Sequence, residues 1–257
     1  MSMQTTPQRV AVVTGGAKGI GAEVCRRLAA RGHKVWIADL DLPQAKSLAN
    51  ELQQLGGRAQ AIALDVGKSE SVAQAFAEID AQDQRCDVLV NSAGIAKVFP
   101  FLDFPLANFV DTLNINVTGT LLCAQHAARL MVRHRWGRIV NIASVAGLRA
   151  VGTGRTAYGT SKGAVVALTR QMAVELAEHG ITANAVCPGP VDTPMTQALH
   201  TAQFREEYAK AIPMERYGTP QEIAAAVLYL ASEEAAYTTG IALPVDGGFL
   251  ASGARGL

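Results

Sequence analysis

Residues 9–21 read RVAVVTGGAKGIG, and the way this stretch is read decides the fold. A β-branched apolar run ends at Thr14 and passes directly into a turn with glycines at Gly15, Gly19 and Gly21, spaced G-x-x-x-G-x-G, and then into a helical pattern. The first N–H groups of a helix have no partner within it, and the helix dipole favours negative charge there. A strand that feeds a glycine turn and a helix is therefore where a parallel-sheet protein holds phosphates. Taken alone, the glycines also fit a tight strand-to-helix turn without a ligand.

The same alternation continues along the chain. RVAVVT, KVWIAD, AQAIALD, CDVLVN, RIVNIAS, TANAVCPG and IALPVD are short apolar runs separated by longer helical patterns, which predicts about seven strands. Right-handed βαβ units follow, giving an α/β fold whose parallel sheet is doubly wound, with helices on both faces. Long helices are expected over residues 105–134 and 158–179, with another starting near Pro220. Gly32, Gly56 and Gly180 fall just past helix ends, where a left-handed residue terminates a helix. No repeat or linker interrupts the order, so residues 1–257 are expected to form a single dinucleotide-binding and catalytic domain. Periodicity weakens over residues 190–220, which reads as a substrate-binding loop or lid.

Composition narrows the partners. The 257 residues are 49% hydrophobic and 18% charged, with a formal net charge of +1, enough for one substantial core. No basic block points to nucleic acid or a membrane surface, so a small molecule is the expected partner. Cys25, Cys86, Cys123 and Cys187 form no CxxC pair and the histidines form no zinc-type spacing, so reduced thiols and no metal are expected. Without an apolar leader or an eighteen-residue apolar run, a cytoplasmic protein is expected.

Two places carry chemistry. Asp39 ends the second strand, where a carboxylate would accept hydrogen bonds from an adenosine ribose and repel a 2′-phosphate, which favours NAD over NADP. Lys18 beside the glycines is a contrary signal, because it could neutralise an extra phosphate. Tyr158 stands four places before Lys162 on one helical face, and a phenol that titrates near pH 10 in water needs such a neighbour to act as a base near neutrality. An i,i+4 pair of this kind also arises by chance on exposed helices. Ser144, at the carboxyl end of RIVNIAS, brings a hydroxyl to the same edge of the sheet.

With these residues in place the sequence resembles the short-chain dehydrogenase/reductase family over nearly the whole chain. The motifs are the glycine loop from Thr14 to Gly21, LDV at 64–66, NSAG at 91–94, NVTG at 116–119, Ser144, YGTSK at 158–162 and PGPVDT at 188–193. The resemblance implies a Rossmann-like fold with Tyr158 as general acid/base and Ser144 hydrogen-bonded to the substrate oxygen. Lys162 would depress the tyrosine pKa and hold the nicotinamide ribose, and Asn116 would hold a water that links Lys162 to solvent. It also implies that Gly15, Lys18, Gly19, Ile20, Gly21, Asp39, Asp65, Val66, Asn91, Ala93, Gly94, Pro188, Gly189, Val191 and Thr193 line the cofactor. Two departures stand out: Ser144 and Tyr158 lie 14 positions apart, one more than is usual, and Ser92 replaces a common asparagine.

The expected reaction is NAD-dependent interconversion of a secondary alcohol (a polyol, sugar alcohol or hydroxy acid) and its ketone. The alternatives are an NADPH-dependent 3-oxoacyl-thioester reductase and a non-catalytic dinucleotide sensor on the same fold. Arg155, three places before Tyr158, could clamp a carboxylate, sulfonate or phosphate, or form an ion pair at the surface or a subunit interface. Met195 and His200, in the lid segment with Leu199, Phe204 and Tyr208, are the remaining substrate candidates. Family members usually assemble through two long helices, here 109–134 and 158–179, and a homotetramer is expected. The small residues Ala124, Ala127, Ala128, Gly163, Ala164 and Ala167 would allow close helix packing, or else face the sheet.

Overall fold

The computed structural model describes residues 8–252. Strands β1 (Val10–Thr14), β2 (Lys34–Asp39), β3 (Arg58–Ala63), β4 (Val88–Asn91), β5 (Gly137–Ile142), β6 (Ile181–Pro188) and β7 (Ala242–Val245) form one sheet in the order β3-β2-β1-β4-β5-β6-β7. Every pairing is parallel. The order reverses between β1 and β4, so the loops leaving these strands diverge and open a crevice at the carboxyl edge.

Strand periodicity divides the core in two. Ala11, Val13, Val35 and Ile37 face helices α1 (Gly19–Ala30), α2 (Leu42–Gln54) and α9 (Pro220–Leu230). Val10, Val12, Trp36 and Ala38 face α3 (Ser69–Asp83), α5 (Gly119–His134) and α6 (Thr156–Leu176). Ala124 and Ala127 belong to this second cluster, so they pack toward the sheet. The helix expected over residues 105–134 is α4 (Leu106–Leu113) joined to α5 through a π-helical turn, Asn114–Thr118. The left-handed terminators appear as expected, with φ of +85° at Gly32, +82° at Gly56 and +74° at Gly180.

The segment 190–220 is more regular than its sequence suggests. It holds α7 (Pro194–Leu199) and α8 (Ala202–Ala211), each started by a threonine cap: Thr193 on Thr196 N–H at 3.3 Å and Thr201 on Phe204 N–H at 3.2 Å. Neither helix buries a residue fully, and each has only one i,i+4 pair of large apolar residues, Met195 with Leu199 and Phe204 with Tyr208, a short stripe by which to recognise a helix in sequence.

The opening glycine turn is steric in origin. A Cβ on Gly21 would lie 2.2 Å from the Gly15 carbonyl oxygen, so α1 can approach the turn only because that position has no side chain. Gly21→Ala must push the turn off the helix, and we expect it to cost about 1–3 kcal/mol. Thermal melting of the variant should show a fall of several degrees, and an unchanged melting temperature would refute the close packing.

Candidate active site

A cleft of about 450 Å³ runs along the carboxyl edge of the sheet at the point where the strand order reverses. At one end Gly15 and Lys18 of the first loop and Gly19 and Ile20 of α1 line it, with Asp39 at the end of β2. Asp65 and Val66 follow β3, and Ala93 and Gly94 follow β4. Pro188 at the end of β6 and Gly189, Val191 and Thr193 after it line the cleft together with Ser144, Tyr158 and Lys162. Leu64, Ile115 and Ile142 also line the walls, apolar positions with no chemical signature in the sequence.

Two of the residues expected along the cofactor are not among those lining the cleft. Gly21 lies beneath the first turn, against Gly15. The Asn91 amide is buried between strands, donating to Asn141 Oδ1 at 2.9 Å, while Asn141 Nδ2 donates to Thr169 Oγ1 of α6 at 2.9 Å. Asn91 thereby ties β4 through β5 to the helix that carries Tyr158.

At the β2 end, Asp39 braces the glycine turn: its Oδ2 accepts from Ala17 N–H at 2.9 Å and its Oδ1 from Asp41 N–H at 2.9 Å. Lys18 is not a free cation. Its ammonium donates to Asp41 Oδ2 at 2.7 Å, and that contact holds it above its ordinary value. Lys18 caps α1 without any side-chain bond to the helix, so the first N–H groups keep the open valences that a phosphate would fill.

The chemical end is built on β5 and α6. Ser144 starts a short turn, Val145–Gly147, with its Oγ accepting from Ala146 N–H at 3.1 Å. A Cβ on Gly147 would sit 2.5 Å from the Lys162 carbonyl carbon, so the serine turn rests directly on the α6 backbone. Tyr158 and Lys162 lie on the first turns of α6. Burial raises the Tyr158 phenol above its ordinary value, while the Ser144 hydroxyl and the Arg155 charge pull it back down. Lys162 is buried, donates to the Ile142 carbonyl at 2.7 Å, and is pushed down to about 8 by desolvation. Its ammonium stands 5.7 Å from the Tyr158 ring centroid. Burial is the largest influence on the phenol, and Ser144 and Arg155 counter it.

Asn116, in the π-helical turn, is 1% exposed. Its Oδ1 accepts from Ile95 N–H at 2.8 Å, and its Nδ2 donates to Ile95 O at 3.0 Å and to Ser161 Oγ at 2.9 Å. Ser161 in turn donates to the Tyr158 carbonyl at 2.7 Å. The asparagine therefore clasps the loop after β4 to α6 and lies outside the lining of the cleft.

A smaller cavity continues from Ser144 and Tyr158 toward the lid, and all three substrate candidates, Arg155, Met195 and His200, line it. Arg155 Nη2 lies 2.8 Å from His200 Nε2, and His200 Nδ1 lies 3.0 Å from the Tyr217 hydroxyl. Burial and the charges of Arg155 and Arg205 push His200 below its ordinary value, so the neutral ring accepts from Arg155 and donates to Tyr217. Tyr208 of α8 also lines the cavity; its place in the lid pattern did not set it apart from residues that merely pack.

A family model described as enoyl-(acyl carrier protein) reductase matches residues 15–250. A 3-oxoacyl-[acyl-carrier-protein] reductase FabG from Aquifex aeolicus (strain VF5) is 38% identical over 241 residues, covering 93% of this chain and 96% of its own length. A short-chain type dehydrogenase/reductase from Mycobacterium marinum superimposes with a TM-score of 0.91 at 36% identity, over 95% of this chain and 96% of that one. A gluconate 5-dehydrogenase from Burkholderia cenocepacia J2315, solved with NADP and tartrate, does so with a TM-score of 0.91 at 32% identity, over 95% and 96%. A family model matched over residues 15–250, and relatives 32–38% identical along nearly their whole length, make the chain an oxidoreductase of the short-chain dehydrogenase/reductase family.

Proposed function

We propose that this chain interconverts a ketone and a secondary alcohol, the ketone being that of an oxo acid or its acyl derivative, with NAD(H) as hydride carrier. The observation that carries the reaction is the convergence of Ser144 and Tyr158 where the dinucleotide cleft opens into the smaller cavity. A bound nicotinamide dinucleotide supplies the hydride acceptor or donor. Tyr158, protonated across neutral pH because burial raises it, gives its proton to the carbonyl oxygen in reduction and takes it back in oxidation. The Ser144 hydroxyl offers that oxygen a second hydrogen bond. Lys162 keeps a positive charge beneath the site, where it favours electron density building on oxygen.

The uncapped start of α1 and the Asp39 carboxylate fit a dinucleotide, with Gly15, Gly19 and Ile20 at its phosphates and Asp39 at the adenosine ribose. The choice between NAD and NADP turns on charge. Asp39 and Asp41 set two carboxylates beside one ammonium, Lys18, which already pairs with Asp41. A 2′-phosphate there would meet net negative charge, which favours NAD(H). The substrate class is supported by the relatives: one is a 3-oxoacyl-thioester reductase and another a hydroxy-acid dehydrogenase solved with NADP. The NADP in the latter keeps NADP(H) as the second reading.

Three outcomes test this reading. Tyr158→Phe should lower kcat for ketone reduction by about 10²–10⁴-fold while dinucleotide binding, read by fluorescence quenching, survives; a variant with undiminished turnover removes Tyr158 from the reaction. In steady-state assays kcat/KM with NADH should exceed that with NADPH by about tenfold or more, a preference that Asp39→Ala narrows; equal or reversed values would give the cofactor to NADP(H).

The third outcome concerns Lys162. Its folded pKa of about 8 lies below the ordinary 10.5, so between these values the unfolded chain binds more protons and the parent protein gains stability as pH rises. Lys162→Met lacks this gain. Its stability relative to the parent should therefore fall by about 3 kcal/mol from pH 7 to pH 10.5 in denaturant titrations. A difference independent of pH would show that the buried ammonium carries no such desolvation cost.

A further inference from the structure

Most buried or half-buried lysines and arginines of the described residues meet a carboxylate. Arg9, Arg27, Lys34, Arg85, Arg138 and Arg205 each form an ion pair, Arg85 with the buried Asp87 at 2.6 Å and Arg138 with Glu233 at 3.5 Å. Among the described residues two such cations have no carboxylate partner, Lys162 and Arg155, and both lie beside Tyr158. Lys162 is explained by the reaction. Arg155 is not.

Arg155 is the residue that precedes α6, three positions before Tyr158, and near enough for its charge to act on the phenol. It lines the small cavity, and its partner there is a neutral imidazole, His200, which takes one of its five N–H groups. Tyr208 lines the same cavity, its ring held edge-on by Phe204 at 5.5 Å, Tyr217 at 6.2 Å and Phe249 at 5.6 Å. Its hydroxyl has no hydrogen-bond partner among the described residues, and it lies close enough for the Arg155 charge to pull its pKa down against burial. A half-buried guanidinium without a counter-ion costs free energy that an anion repays, and its planar fork matches a carboxylate.

We infer that Arg155 and Tyr208 form a carboxylate subsite, so that the substrate is a free oxo or hydroxy acid whose carboxylate lies one to three carbons from the reacting carbon, and not a thioester. This rests on the ketone-reductase reading of the same site and narrows it. Arg155 contributes two N–H groups to the carboxylate, Tyr208 one O–H, and Tyr158 a proton to the ketone oxygen one helical turn away.

The test separates binding from turnover. The Tyr158→Phe protein, loaded with reduced dinucleotide, is titrated calorimetrically with 2-, 3- and 4-oxopentanoate and with their methyl esters. At least one acid should bind about 30-fold or more tightly than its ester. Adding Arg155→Met should bring that ratio close to one, Arg155→Lys should restore part of it, and Tyr208→Phe should reduce it severalfold. Retained dinucleotide binding in each variant, read from cofactor fluorescence, certifies its fold, and the Arg155→Lys comparison decides the matter if Arg155→Met fails that check. Acid and ester bound alike by the parent, or a preference indifferent to both Arg155 variants, would overturn the subsite. The unmodified enzyme is assayed in parallel. If it discriminates acid from ester in binding but turns over no acid with NADH or NADPH, the subsite stands and the reductase reading falls.

Discussion

A parallel sheet buried on both faces has one place to keep polar chemistry, its carboxyl edge. The two core clusters claim alternate residues of β1 and β2, so little but hydrocarbon can sit on either face. The interior polar exceptions are used to hold the edge in place. The run Asn91–Asn141–Thr169 links β4, β5 and α6 in one hydrogen-bonded chain, and Asn116 fastens the loop after β4 to the same helix. The Asn91 Oδ1 has no partner among the described residues, but the donors of the run each meet a fixed acceptor, so the run stiffens what it joins. The position of Tyr158 relative to the β4 loop is therefore set from inside the protein.

Burial at that edge acts in opposite directions on the two ionisable groups it surrounds. The phenol is driven toward its neutral form and the ammonium toward losing its proton, because both lose their charge on entering low dielectric. Such a pair is poised for transfer: a phenol that keeps its proton at neutral pH can give it to a developing alkoxide. The serine turn contributes to the same end, since Gly147 allows it to lie on the α6 backbone and brings the Ser144 hydroxyl to the phenol.

The seven strands were legible because each is a short β-branched run between helical patterns, and the helix ends at Gly32, Gly56 and Gly180 because a left-handed residue is so often glycine. Asp39, Arg155, Met195 and His200 were legible as cleft residues because strand ends, helix starts and the lid must face the crevice. Asn91 was placed along the cofactor by the family resemblance, and its amide instead spends its hydrogen bond inside the sheet, donating to Asn141, a direction that a family motif does not carry. The pairing of Lys18 with Asp41 depends on how two loops fold against each other, and a distance between loops leaves no periodic trace. The short lid helices were legible only in part: Met195 and Leu199, and Phe204 and Tyr208, stand at helical spacing, but two large apolar residues in each half-exposed helix make too short a stripe to fix its bounds.

The two cations without carboxylate partners differ in what they can do about it. Lysine can shed its proton, and Lys162, held by one backbone carbonyl, is already displaced to about 8. Arginine cannot, because its pKa lies above any pH the protein meets. The field of a half-buried guanidinium whose neighbour is an uncharged imidazole is met by water or by a ligand. Elsewhere the fold supplies a carboxylate to such a group, as Asp87 does for Arg85 and Asp83 for Lys34. Leaving one out costs stability that selection for folding alone would remove, so the omission beside the reacting phenol is accounted for when the missing charge arrives with the substrate.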